Sequence, residues 1–161
     1  MSFDDSKGDF GNRLRNYRLY KNSFRKEEYL TSISYKPYRS CLSKLRLSAH
    51  KLRIETGRYV KKEEKLPPSE RICKFCSIRQ CEDEYHLIMK CSLYENERNQ
   101  LKLNAFLLYP HAKLYDEPTL YKWFMANLDE NILMHLSKFI YICFDKRSKS
   151  TSALSKSSND I

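Results

Sequence analysis

The stretch RICKFCSIRQCEDEYHLIMKC, residues 71–91, decides how this chain folds. Cys73 and Cys76 form a C-x2-C pair, a spacing that lets one tight knuckle aim both sulfurs at a single ion. His86 follows after nine intervening residues, and Cys91 after four more. Zinc in structural sites takes four nitrogen or sulfur donors in a tetrahedron. Three thiolates and one imidazole therefore satisfy Zn2+ without leaving a position for water. Cys73, Cys76, His86 and Cys91 read as a closed, structural site rather than a hydrolytic one. Cys81 offers a second solution, C-x2-C-x4-C-x4-H, and spacing alone leaves it open. The favoured set leaves Cys81 as a hairpin or loop cysteine.

Outward from the knuckle, Glu82, Asp83 and Glu84 suit the first turn of a short helix, where carboxylates complement the dipole. That helix would carry His86, with Cys91 at or just past its end. Ile72, Phe75, Leu87 and Ile88 supply only a small apolar surround, so metal binding should provide much of the segment's stability.

The rest of the chain reads as mainly α. Of 161 residues 41% are apolar and 31% charged, with 3 Gly and 5 Pro, a balance that disfavours β-sandwiches and favours helices. No run approaches 18 apolar residues, so no membrane-spanning helix is expected. The opening MSFDDSKGDF lacks the basic flank and apolar stretch of a secretory signal, which points to the nucleus or cytoplasm. Closely spaced cysteines in such a compartment more often bind metal than pair with one another.

The expected architecture is a small helical domain with an inserted zinc knuckle or short hairpin (Cys3His) and disordered termini. Residues 1–16 read as a disordered N-terminus and 17–60 as a basic helical segment, opening with a short amphipathic piece around Phe24, Tyr29, Leu30 and Ile33. Residues 61–70, which contain Pro67-Pro68, read as a linker to the zinc-binding segment at 71–91. Residues 92–147 form a helical segment with apolar patterns over 93–108, 119–126 and 129–147, and 148–161 read as a Ser-rich disordered tail. Trp123, Phe124 and the stripe from Ile132 to Phe144 fit core packing, as do Cys41 and Cys143.

The net charge is +10, and residues 1–65 hold 17 Lys and Arg against 8 Asp and Glu. So uneven a distribution is an electrostatic footprint for a polyanion. Within it, Tyr38, Leu42, Leu45, Ala49 and Leu52 step by three and four along a helix running from Pro37 to a stop at Gly57. The adjoining stripe is Arg39, Ser43, Arg46, His50 and Arg53. Arg39, Arg46, His50, Arg53 and Arg58 are thus the candidate contacts to RNA or DNA phosphates, with Lys74 and Arg79 adding charge near the metal. Tyr59 and Phe75 would either stack on unpaired bases or pack around the metal.

LSKLRLSAHKLRIETGRY (42–59), ERICKFC (70–76) and EDEYHLIMKCSLYENER (82–98) together resemble the C-terminal region of non-LTR retrotransposon polyproteins, which follows the reverse transcriptase domain. The residues that carry the likeness are Arg46, Ser48, His50, Leu52, Glu55, Gly57, Arg58 and Tyr59, then Cys73, Cys76, Glu82, Glu84, His86, Cys91 and Tyr94. FRKEEYL (24–30) and KFIYICFDKR (138–147) fit more loosely. The resemblance implies a zinc-binding, nucleic-acid-associated module. The polymerase itself is missing: no Tyr-x-Asp-Asp motif occurs, and no converging carboxylates offer a magnesium site. The expected function is therefore non-catalytic, without a membrane or small-molecule substrate. A protein-interaction or scaffold remnant is the alternative.

Overall fold

The computed structural model describes residues 16–17, 21 and 25–157; Phe24 and the expected disorder over 1–15 and 158–161 lie outside the described residues. The protein is mainly helical, and no strand occurs among the described residues. A four-residue helix, α1 (Tyr29–Ser32), leads into α2 (Lys36–Arg46) and another short helix, α3 (Arg53–Thr56). Two exposed 3-10 turns, Lys62–Glu64 and Pro68–Glu70, carry the chain to the cysteine-rich segment. That segment ends in a π turn, His86–Lys90, and a 3-10 turn, Ser92–Tyr94. The remainder is α4 (Glu95–Leu108), a 3-10 turn at Pro110–Leu114, α5 (Glu117–Ala126) and the long α6 (Glu130–Ser157).

α6 is the spine. Ile132, Leu133, Leu136, Phe139, Ile140 and Cys143 are buried along it, and both α2 and α4 pack on it. Leu42 and Leu45 come from α2, Leu101 and Ala105 from α4, and Phe124 and Met125 from α5. Asp129 caps α6 by accepting from the amides of Asn131 and Ile132, and the Ile132 amide holds its carboxyl below the ordinary range. Trp123 packs edge-on between Tyr109 and Phe124.

Three boundaries differ from the sequence reading. Asn16, expected in the loose N-terminus, is buried and accepts a hydrogen bond from the Tyr121 hydroxyl. The serine-rich stretch after Arg147 continues α6 to Ser157 instead of fraying at Ser148. Thr151 and Ser152 return their hydroxyl protons to the carbonyls of Arg147 and Ser148, and Lys149 pairs with Asp145 one turn back.

The third difference is the largest. The helix expected from Pro37 to Gly57 stops at Arg46, and Ser48 takes φ 50°. The Ala49 amide reaches back to the Lys44 carbonyl and the Ser48 amide to the Leu45 carbonyl, the Schellman arrangement in which C′ is usually glycine. A serine holds it here because its hydroxyl donates to the buried Glu84 carboxylate at 2.9 Å. Leu52 still reaches the core, but as the N-cap of α3, while Ala49 is exposed.

Gly57 follows α3 at a close approach: a Cβ there would lie 2.6 Å from Cδ of Arg71 and 2.9 Å from the Arg53 carbonyl. The Arg71 side chain is buried and tied to the Ile54 and Leu66 carbonyls, so it has little freedom to yield. Gly57→Ala should destabilise by about 1–3 kcal/mol, read as a shifted denaturant midpoint. An unchanged midpoint would mean that Arg71 swings aside.

Candidate metal centre

Residues 71–82 form a narrow hairpin. Ile72 and Cys81 make an antiparallel bridge, the Cys73 amide bonds the Gln80 carbonyl, and the Glu82 amide bonds the Arg71 carbonyl. The knuckle at its tip carries Cys73 and Cys76, and the Phe75 amide points at Cys73 Sγ from 3.4 Å. His86 opens the π turn and Cys91 closes it, its amide bonding the His86 carbonyl at 2.8 Å. The wide turn brings residues five apart onto one side, which places the imidazole and the last thiol together.

The ligating atoms of Cys73, Cys76, His86 and Cys91 all lie within 4.8 Å of one another, so these four residues could hold a metal ion. Cys73 Sγ is 3.9 Å from Cys91 Sγ, too far for a disulfide, and Cys76 Sγ is 3.3 Å from His86 Nε2. Cys73, His86 and Cys91 are buried and Cys76 is half-buried. The sulfurs are crowded enough to disturb one another: hydrogen bonding with Cys91 and burial push the Cys73 thiol up to about 12, while the same bond draws Cys91 down. A cation is what lets such neighbours ionise together. His86 Nδ1 is buried without a hydrogen-bond partner among the described residues.

Cys81 stands outside this group. Its side chain bonds the Pro68 carbonyl at 3.1 Å, on the return arm of the hairpin. Cys81→Ser should leave metal content per chain unchanged; loss of the metal would restore the compact C-x2-C-x4-C-x4-H alternative.

The carboxylates expected to complement a helix dipole do something else. Only Asp83 caps, accepting from the His86 amide at 2.7 Å. Glu82 and Glu84 are buried. Glu82 takes both Arg147 nitrogens, at 2.7 and 2.8 Å, and the Arg53 amide at 2.9 Å. Glu84 takes the Ser48 hydroxyl and His50 Nε2, the latter at 2.7 Å. Arg98 reaches from α4 to the carbonyls of Ile88 and Cys91. The ligand-bearing segment is thus bolted to the turn after α2 and to α3, α4 and α6 by charged side chains.

The expected cation stripe does not face solvent. Arg46 is 1% exposed; it bonds the Met125 and Asn127 carbonyls, pairs with Glu27 at 3.4 Å and stacks over the Tyr29 ring. His50 is buried against Glu84. Arg39, Arg53 and Arg58 are half-buried: Arg39 donates to the Leu30 and Ile33 carbonyls, Arg53 to that of Ile72, and Arg58 pairs with Glu55. The break at Ser48 carries His50 onto Glu84, and within α2 a guanidinium has enough donors to bridge several carbonyls. The exposed cations of this half are mostly lysines, among them Lys36, Lys44, Lys51, Lys61, Lys62 and Lys65, together with Arg25, Lys74 and Arg79. Phe75 packs on the core under the Arg147 guanidinium, whereas Tyr59 is exposed. Lysine, whose ammonium is a strongly hydrated point charge, makes up most of the exposed set.

No family model, no curated protein and no solved structure matches this chain.

Proposed function

We propose that the chain is a non-catalytic zinc-binding module, related to the C-terminal region of non-LTR retrotransposon reverse transcriptases, that contacts RNA or DNA chiefly through phosphates. The observation that carries the metal half is the convergence of Cys73, Cys76, His86 and Cys91. Sulfurs about 2.3 Å from a tetrahedral zinc stand about 3.8 Å apart, and a sulfur and an imidazole nitrogen about 3.5 Å apart. The 3.9 Å and 3.3 Å separations fit that frame. With four protein donors the ion keeps no open position, so its contribution is to hold the hairpin and the π turn together.

Net charge of +10 supports the nucleic-acid half, with the exposed lysines of residues 36–65 in place of the buried Arg46 and His50. The expected result is one zinc per chain by elemental analysis, together with single-stranded RNA or DNA binding that weakens as salt rises. Three phosphate contacts on a single strand correspond to roughly a twentyfold loss of affinity between 50 and 200 mM salt. Absence of zinc removes the first half of the proposal, and weak binding that ignores salt removes the second. Leu103, Leu107 and Leu114 on the exposed face of the α4–α5 region favour the scaffold reading, in which a protein covers them. A salt-independent protein complex would be its signature.

A further inference from the structure

A cleft of about 570 Å3 opens between α2, the turn at 48–51 and the C-terminal half of α6. Its size falls within the roughly 300–1,000 Å3 of sites that hold small organic groups. We infer that it seats one nucleotide of a single strand, with the phosphate on Lys44 and Lys51 and the base against Tyr141. This rests on the nucleic-acid reading above and narrows it to one place.

The charge in the cleft is unevenly spent. Arg147 is neutralised by the bidentate Glu82, and Asp145 by Lys149 at 2.6 Å. His50, on the back wall, is held by Glu84. Lys44 and Lys51 are exposed and have no ion pair among the described residues, which leaves the cleft a net attraction for an anion. Opposite them, Thr151 donates its proton to the Arg147 carbonyl and so turns an accepting oxygen outward, suited to a base amine or a ribose hydroxyl.

The aromatic groups supply the rest. Tyr141 is 38% exposed and lies 5.3 Å from Tyr38, which meets Tyr35 at 4.6 Å; Tyr35 is itself half exposed. The three rings form a row of contacts from the cleft to the start of α2. An exposed ring facing the same cleft as two ammonium groups is suited to an unpaired base and its backbone. An acidic peptide would use the lysines and leave the row idle.

The test uses the full zinc-loaded chain with a 5-iodouridine RNA oligomer and its 5-iododeoxyuridine DNA counterpart as photo-crosslinking probes. Crosslinks mapped to Tyr141, Tyr38 or Tyr35 are expected. Lys44→Ala with Lys51→Ala should weaken binding about tenfold and reduce the salt slope by about 1.4, as loss of two phosphate contacts on a single strand requires. The same charge removed at Lys113 and Lys122, exposed elsewhere, should have a much smaller effect. Tyr141→Ala should weaken binding about tenfold at unchanged helicity, and Tyr141→Phe should restore it, since stacking needs only the ring. Tighter binding of RNA than DNA would assign Thr151 to the 2′-hydroxyl, and equal binding would assign the site to phosphate and base alone; both fit the cleft. Strong binding with crosslinks elsewhere, insensitive to the cleft variants, overturns the cleft and leaves the nucleic-acid reading standing. No binding of either probe at low salt overturns both.

Discussion

Removing the metal is expected to abolish cooperative unfolding. Structural zinc contributes about 10–16 kcal/mol in zinc-finger peptides, and a whole domain is stable by only about 5–15 kcal/mol. The hairpin has little apolar surface of its own, and its ligands are spread over the knuckle and the two ends of the π turn. Chelation, or Cys73→Ser or Cys91→Ser, should flatten the thermal transition and remove the near-ultraviolet signal of Tyr85 and Tyr94, which adjoin the centre. Adding zinc back should restore both in the chelated wild type but not in the variants. A sharp, unshifted melt in protein shown by elemental analysis to be metal-free would refute a structural role for the ion.

Arg46→Ala should be the most damaging single change outside the centre, at about 3–5 kcal/mol, on the order of a 10 °C fall in Tm. It strips partners from the buried Met125 carbonyl and from Glu27, and removes the cation over Tyr29. Lys44→Ala, two residues earlier and exposed, should stay within about 0.5 kcal/mol. The pair of melts separates a buried bridge from a solvated face: equal, small effects would return Arg46 to the surface.

That contrast also marks what could be read without coordinates. The three-and-four periodicity of Leu42 and Leu45, and of Ile132, Leu133, Leu136, Phe139, Ile140 and Cys143, reflects burial on a helix face, and those residues are buried. Metal-ligand spacing is similarly local, since a knuckle and a short turn leave few ways to point four donors, and the same four converge. The stop after Arg46 was not legible because no glycine or proline makes it. It is made by a carboxylate 36 positions away in the chain, and the left-handed serine follows from that bond. The burial of Arg46 and His50 was hidden for the same reason, because their partners, Met125, Asn127 and Glu84, are distant in sequence. Charge on a helix face looks alike in sequence whether water or a remote carbonyl answers it.

The contact between His50 and Glu84, like the pair of Arg147 with Glu82, joins the cleft to the ligand-bearing segment. Glu84 sits two residues before the candidate ligand His86, and His50 forms part of the cleft's wall. If both proposed sites fill, these two struts give occupancy of one a path to the other, and reciprocity requires the exchange to be symmetric: whatever factor zinc added to the grip on a strand, the strand would add to the retention of zinc.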